Sequence, residues 1–222
     1  MKTKQFLISA IASLLVTSAS AGLVNGGFES PALPNTSFSI MNQNLVPGWS
    51  TTSSDGKIEI WSQNFNGVTS FEGKQHAELN ANQVADLFQD APGIAFGSVV
   101  GYQFAHRGRL GIDTMRFTLT DLGLDNLFGT SDDTQLVSRL VSDGNDAWGF
   151  YTGTGIVSMG NVVRFSFISV SAAGDQPSYG NFLDAADFGV NVGGNQIPEP
   201  GSLALLGLGF AALLCVGRRE KN

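Results

Sequence analysis

Hydrophobic residues in the middle of this chain recur at every second position, in short runs. In Met115-Arg116-Phe117-Thr118-Leu119-Thr120 the apolar side chains alternate strictly with polar ones. A two-residue period puts one face of an extended segment in a core and the other in water, whereas a helix needs apolar residues three or four apart. The same texture marks residues 57–61, 75–80, 84–89, 98–106, 134–141, 147–151, 162–170 and 181–190, and between these runs lie clusters of Gly, Ser, Thr, Asn and Asp that favour turns. No internal repeat and no amphipathic helical stretch interrupts the pattern. Many short strands of this kind predict an all-β domain, an antiparallel β-sandwich or jelly roll, spanning residues 22–192.

The two ends are different in kind. Lys2 and Lys4 precede an apolar run from Phe6 to Val16, and small residues follow, ending in Ala19-Ser20-Ala21. That order predicts a signal peptide over residues 1–21, a short helix cleaved after Ala21, with Ala19 and Ala21 as the small residues the peptidase requires. The apolar run falls well short of the roughly 20 residues a membrane span needs. Near the other end stand Pro198, Glu199 and Pro200 in a linker over 193–201. An apolar run from Leu203 to Val216 follows, then Arg218, Arg219 and Lys221, so residues 202–222 read as a membrane helix with a basic cytoplasmic tail. Between the signals lie roughly 175 residues, enough for one domain. The single cysteine, Cys215, falls in the C-terminal apolar run, so the exported domain has no disulfide, and packing, alone or together with a metal, is expected to stabilise it.

This C-terminal segment resembles the PEP-CTERM sorting signal of Gram-negative bacteria that make exopolysaccharide. The resemblance implies an exosortase as partner, cutting near Pro198-Glu199-Pro200, and a membrane helix that anchors the chain only transiently. A permanent anchor is the alternative. Export through the inner membrane to the cell surface or extracellular matrix follows from either. Removing the two signals leaves 7 Lys and Arg against 17 Asp and Glu, a net charge near −10, compared with −7 for the whole chain. A charge of that sign excludes nucleic acid as a partner and disfavours anionic lipid.

Within the domain, Val24-Asn25-Gly26-Gly27-Phe28-Glu29-Ser30-Pro31, Val46-Pro47-Gly48-Trp49 and Gly180-Asn181-Phe182-Leu183-Asp184 look like the first and last strands of galactose-binding-like jelly rolls, a group that includes carbohydrate-binding modules. The resemblance implies a structural Ca²⁺ held by Glu29 and Asp184. The family often places two consecutive acids in the last strand, and here Ala185 follows Asp184. Two hydrogen-bonded carboxylates without a metal are the alternative. A second acidic segment, Asp121 to Asp133, lacks the ligand spacing of an EF-hand and reads as a solvated turn.

Alternation also draws a candidate binding face. With Ile58, Ile60, Ala77 and Leu79 directed inward, Trp61, His76, Glu78 and Asn80 point outward; with Tyr102 and Phe104 inward, Arg107 points outward, and Arg116 does likewise beside Phe117. An aromatic ring among fixed polar groups is what sugar recognition requires, so these six residues are expected to form one concave polar face for extracellular polysaccharide. The competing expectation is that Trp61 caps the core and Glu78 pairs with Arg107. No nucleophile motif, phosphate loop or histidine metal pair is present, which points to a non-catalytic protein. An adhesive protein without a sugar site and, less favoured, a matrix glycosidase are the alternatives.

Overall fold

A computed structural model describes residues 22–157 and 161–189. The signal-peptide residues Ala19 and Ala21, the sorting residues Pro198, Glu199 and Pro200, and the C-terminal apolar run lie outside them. Among the described residues no helix is long and apolar enough to cross a membrane.

The described residues form eleven strands: β1 (Phe38–Asn42), β2 (Ser50–Thr51), β3 (Lys57–Ser62), β4 (Gln75–Glu78), β5 (Asp86–Pro92), β6 (Val99–Arg107), β7 (Asp113–Asp121), β8 (Thr134–Asp143), β9 (Gly149–Ile156), β10 (Val162–Ser171) and β11 (Phe182–Gly189). A 3-10 turn, Gln43–Leu45, separates β1 from β2. The strands form two antiparallel sheets, one ordered β1-β3-β4-β11-β6-β9 and the other β2-β5-β10-β7-β8. This is the all-β jelly-roll sandwich anticipated from the alternation.

The core is aromatic where the sheets face each other. Phe117 of β7 stands opposite Phe167 of β10, and Phe104 of β6 reaches across from the other sheet, 5.0 Å from Phe117 and 5.2 Å from Phe167 by ring centroids. Phe165 continues the cluster, 4.9 Å from Phe117 in an edge-to-face contact. All four are fully buried, and each such ring pair adds about 0.5–1.5 kcal/mol beyond its area burial. Gly153 of β9 lies opposite Tyr102, and a Cβ there would sit 2.3 Å from the Tyr102 hydroxyl, so only glycine lets that ring lie across the neighbouring strand.

The opening motif is not a strand, contrary to the expectation from its resemblance. Asn25 and Phe28 both adopt positive φ, and the Asn25 side chain closes a turn by donating to the Ser30 carbonyl at 2.7 Å and accepting from the Ser30 N–H at 3.0 Å. Asn tolerates this conformation because its side chain replaces the backbone partner. The turn drives Phe28 into the core, stacked on Trp49 at 4.8 Å. Its backbone docks on the last strand, the Ala186 N–H donating to the Gly26 carbonyl at 3.1 Å.

Candidate functional site

The outer face of the six-stranded sheet carries most of the residues singled out by alternation, in rows fixed by register. One row runs Phe38, Trp61, His76 from β1 to β4 and continues through Asp184, Ala105 and Phe150 on β11, β6 and β9. The next contains Ile40, Glu59, Glu78, Phe182 and Arg107. Strand β11 is inserted between β4 and β6. Arg107 therefore faces Phe182, and the expected Glu78–Arg107 pair does not form. Arg116 is on β7, in the other sheet, where it donates to the Ser138 hydroxyl at 3.1 Å. It does not share the face.

Half of this face is covered. Trp61, His76, Glu78 and Asn80 have relative exposures of 2, 0, 0 and 1%, so they do not line an open groove. The segment linking β3 to β4 folds back over them: Phe65 meets Trp61 edge-on at 4.7 Å, and Val68, Trp61 and Phe182 form a second small core with Phe65 and Trp148 against it. Trp61 thus caps apolar structure, as the competing expectation had it. Its Nε1 donates to Glu59 at 2.7 Å.

Glu59 and Glu78 stand directly opposite each other on β3 and β4, both buried. Arg109 answers them, with Nη1 2.9 and 3.0 Å from the two Glu78 oxygens and its guanidinium 4.9 Å from the Trp61 ring and 4.1 Å from the Tyr179 ring. The Gly180 N–H also donates to Glu78, at 2.6 Å. Burial raises both carboxyls above the ordinary range, and the Glu59 charge adds to the rise at Glu78; Arg109 opposes the shift at both. His76 is driven the other way, to about 3, by burial first and by the Arg107 charge second. It stays neutral, with Nδ1 3.0 Å from the Ser70 hydroxyl. Asn80 donates to the Tyr179 carbonyl at 2.8 Å and accepts from the Ala85 N–H, so its amide pins two loops together.

Glu29 and Asp184 both lie beside the opening turn. Asp184 is fully buried; one oxygen accepts from the Phe71 and Glu72 N–H groups at 2.8 and 3.0 Å, and the other from Ala185 at 2.7 Å. Burial pushes its carboxyl up to about 8, and neighbouring Glu72 adds to the rise. Glu29 turns one oxygen to the Lys74 and Gln75 N–H groups at 2.5 and 2.9 Å. A Cβ on Gly27 would stand 3.0 Å from a Glu72 oxygen and 3.9 Å from an Asp184 oxygen, so the acids border the Gly27 backbone closely. Among the described residues no three acidic, histidine or cysteine side chains converge as a metal-ligand group. A hard cation would need these carboxylates together with backbone carbonyls, a donor set that suits calcium. The Asp121–Asp133 segment uses its acids on itself: Asp132 accepts from the Leu124 N–H at 2.7 Å and Asp133 from Gly129 at 2.7 Å.

The uncovered half of the face is at β6 and β9. Asp187, Gln103 and Thr152 lie side by side on three neighbouring strands. Beside them Phe150 stacks on Phe71 at 5.2 Å with the rings 6° from parallel, and both remain substantially exposed, 48 and 41%. Trp148 borders the pair, 6.3 Å from Phe71, tied down through Nε1 to the Thr69 carbonyl at 2.8 Å. The two-residue period accounts for Gln103, which points outward between the inward Tyr102 and Phe104. It gave no sign of Phe71, which reaches this face only through the fold of a loop.

One end of the chain carries a further match. Residues 196–219 match the PEP-CTERM protein-sorting motif. The sorting motif implies export and placement at the cell surface, and agrees with the tripartite order of Pro-Glu-Pro, apolar run and basic tail. No curated protein matches the chain in sequence. Solved structures similar in fold are carbohydrate-binding modules. One, TmCBM61 in complex with β-1,4-galactotriose, is 14% identical with a TM-score of 0.46, covering 75% of this chain and 95% of that one. Another, the CBM22-1 xylan-binding domain from Paenibacillus barcinonensis Xyn10C, is 11% identical with a TM-score of 0.47, covering 70% and 97%. At these identities the likeness concerns the fold.

Proposed function

We propose that this is a non-catalytic, exosortase-processed surface protein that holds neutral extracellular polysaccharide on the uncovered half of its six-stranded sheet. The observation that carries the reading is the exposed Phe71–Phe150 pair next to the polar row Asp187-Gln103-Thr152. A pyranose buries its C–H face on an aromatic ring and directs hydroxyls at flanking amide, hydroxyl and carboxylate groups. The charge near −10 favours neutral over acidic glycans. Arg107, whose guanidinium donates to the Asn145 carbonyl, borders the platform, while Trp61 and His76 pack beneath it against Trp148. The opposed carboxylates Glu59 and Glu78 are sealed and engaged with Trp61 and Arg109, which leaves them unsuited to glycosidase chemistry.

Affinity electrophoresis of the purified protein through gels containing neutral and acidic polysaccharides tests this reading. Retardation by a neutral polysaccharide that is lost in Phe150→Ala and Gln103→Ala supports it. Equal mobility in every gel overturns it. We further propose that calcium, if bound, is held by Glu29 and Asp184 with help from Glu72. Isothermal titration with CaCl₂ into EDTA-stripped protein checks this, and a heat of binding unchanged in Asp184→Asn counts against it.

A further inference from the structure

We infer a second ligand site, for a single neutral sugar residue, in the cavity between the β4–β5 and β10–β11 loops. The cavity has a volume of about 320 Å³ and is bordered by Asn80, Val84, Ser169, Val170, Ser171 and the turn around Gln176. That volume lies at the lower end of ligand pockets, matched to one ring and not to an extended chain.

Its polar groups are fixed before any ligand arrives. Asn80 is anchored on both sides of its amide, to Tyr179 and Ala85, which leaves a second N–H and a second lone pair. The Ser169 hydroxyl accepts from Asn181 Nδ2 at 3.0 Å and keeps its own O–H to donate. Asn181 is held in turn: its Nδ2 donates to the Ser171 carbonyl at 3.1 Å, its Oδ1 faces His106 Nε2 at 2.9 Å, and its backbone N–H donates to Asp113 at 2.9 Å. Fixed groups of both polarities match a ring of hydroxyls, each of which donates and accepts.

The walls are aliphatic. Val84 and Val170 are 61 and 48% exposed and Pro177 lies beside them, a combination that offers apolar contact to the C–H positions of a sugar. Asp175 is the one ionisable residue in the lining. The chemistry is therefore that of a neutral pyranose, either free or at the end of a chain. No residue of this cavity belongs to the Phe71–Phe150 platform, so the two sites could engage different glycan chains at once. One protein would then tie a chain end to the middle of another chain, a cross-link and not a simple attachment.

The test uses saturation-transfer NMR and titration calorimetry on the purified protein with the methyl glycosides of galactose, glucose, xylose and mannose. At least one is expected to bind with a dissociation constant of about 1–10 mM. Val84→Arg and Val170→Arg, both at exposed positions, are expected to weaken that binding by about tenfold while leaving the platform's retardation by polysaccharide intact. Phe150→Ala is expected to do the reverse. Matching oligosaccharides distinguish the sources: tighter binding of the oligosaccharide through this cavity marks a chain end, equal binding a free sugar. The inference is overturned if none of the four glycosides binds at about 50 mM, or if binding survives both arginine variants. Loss of polysaccharide binding alone would remove the platform reading and leave this one standing.

Discussion

Replacing Arg109 with Met removes the cation that answers two opposed buried carboxylates. Arg109 contacts both Glu78 oxygens, and the side chains are 19 and 0% exposed. Removing one partner of a buried pair costs about 3–5 kcal/mol, and the flanking Trp61 and Tyr179 faces contribute about 0.5–1 kcal/mol each at a partly exposed site. Water entering the space left by Arg109 offsets part of this, so a net loss of about 3 kcal/mol is expected near pH 8. That corresponds to a fall in Tm of roughly 6–12 °C for a domain of this size. Both carboxyls are raised in the folded state, so the folded protein holds more protons than the unfolded one above pH 4.5. Their protonation therefore stabilises fully below pH 4.5 and is lost as pH rises through the folded values toward neutrality and beyond. The deficit of Arg109→Met is thus smallest near pH 5 and largest near pH 8, and adding Glu78→Gln recovers most of it. Urea denaturation at both pH values measures the difference. A deficit under about 1 kcal/mol, or one equal at the two pH values, refutes the reasoning.

Other perturbations separate core, turn and surface. Phe104→Ala removes the ring linking the two sheets and is expected to cost about 3–5 kcal/mol in chemical denaturation. Gln75, 1% exposed, donates to the Phe28 and Pro31 carbonyls and accepts from the Leu33 N–H. Gln75→Ala leaves buried backbone groups unpaired at about 1–3 kcal/mol each, and hydrogen exchange should show faster opening at the Leu33 amide before the sheets respond. Asp90→Asn breaks an ion pair with Arg164 in which the aspartate is 39% exposed, and should shift stability by less than about 1 kcal/mol.

Alternation identified nine of these strands, most plainly β7, where Met115, Phe117 and Leu119 stay inward through the whole run. It passed over β1, where adjacent Ile40 and Met41 break the two-residue period, and β2, which is only two residues long. It assigned Trp61, His76 and Glu78 to the correct side of the sheet and could not say whether that side is open. Inside or outside is a property of one strand; covered or uncovered depends on a loop from elsewhere, here the segment bearing Phe65 and Val68. Strand neighbours have the same limit. Alternation puts Arg107 and Glu78 on the same face, and only the insertion of β11 between their strands keeps them apart and leaves the acid to Arg109. The Asp184 environment was legible as a residue type in a motif, but its backbone donors at Phe71 and Glu72 come from a loop with no periodic signal.

The position of β11 also bears on how the domain carries load. The chain leaves the fold through the C-terminal end of that strand, toward the segment with the sorting motif, and β11 is hydrogen-bonded to β6 on one side and β4 on the other. Tension applied at that end would enter an interior strand along its length. To yield, the long pairing with β6 must give way along the strand, and the two-residue pairing with β4 at Phe182 and Leu183 adds to it at the far end. The opening turn, latched to the same strand at Ala186, adds a third line of resistance.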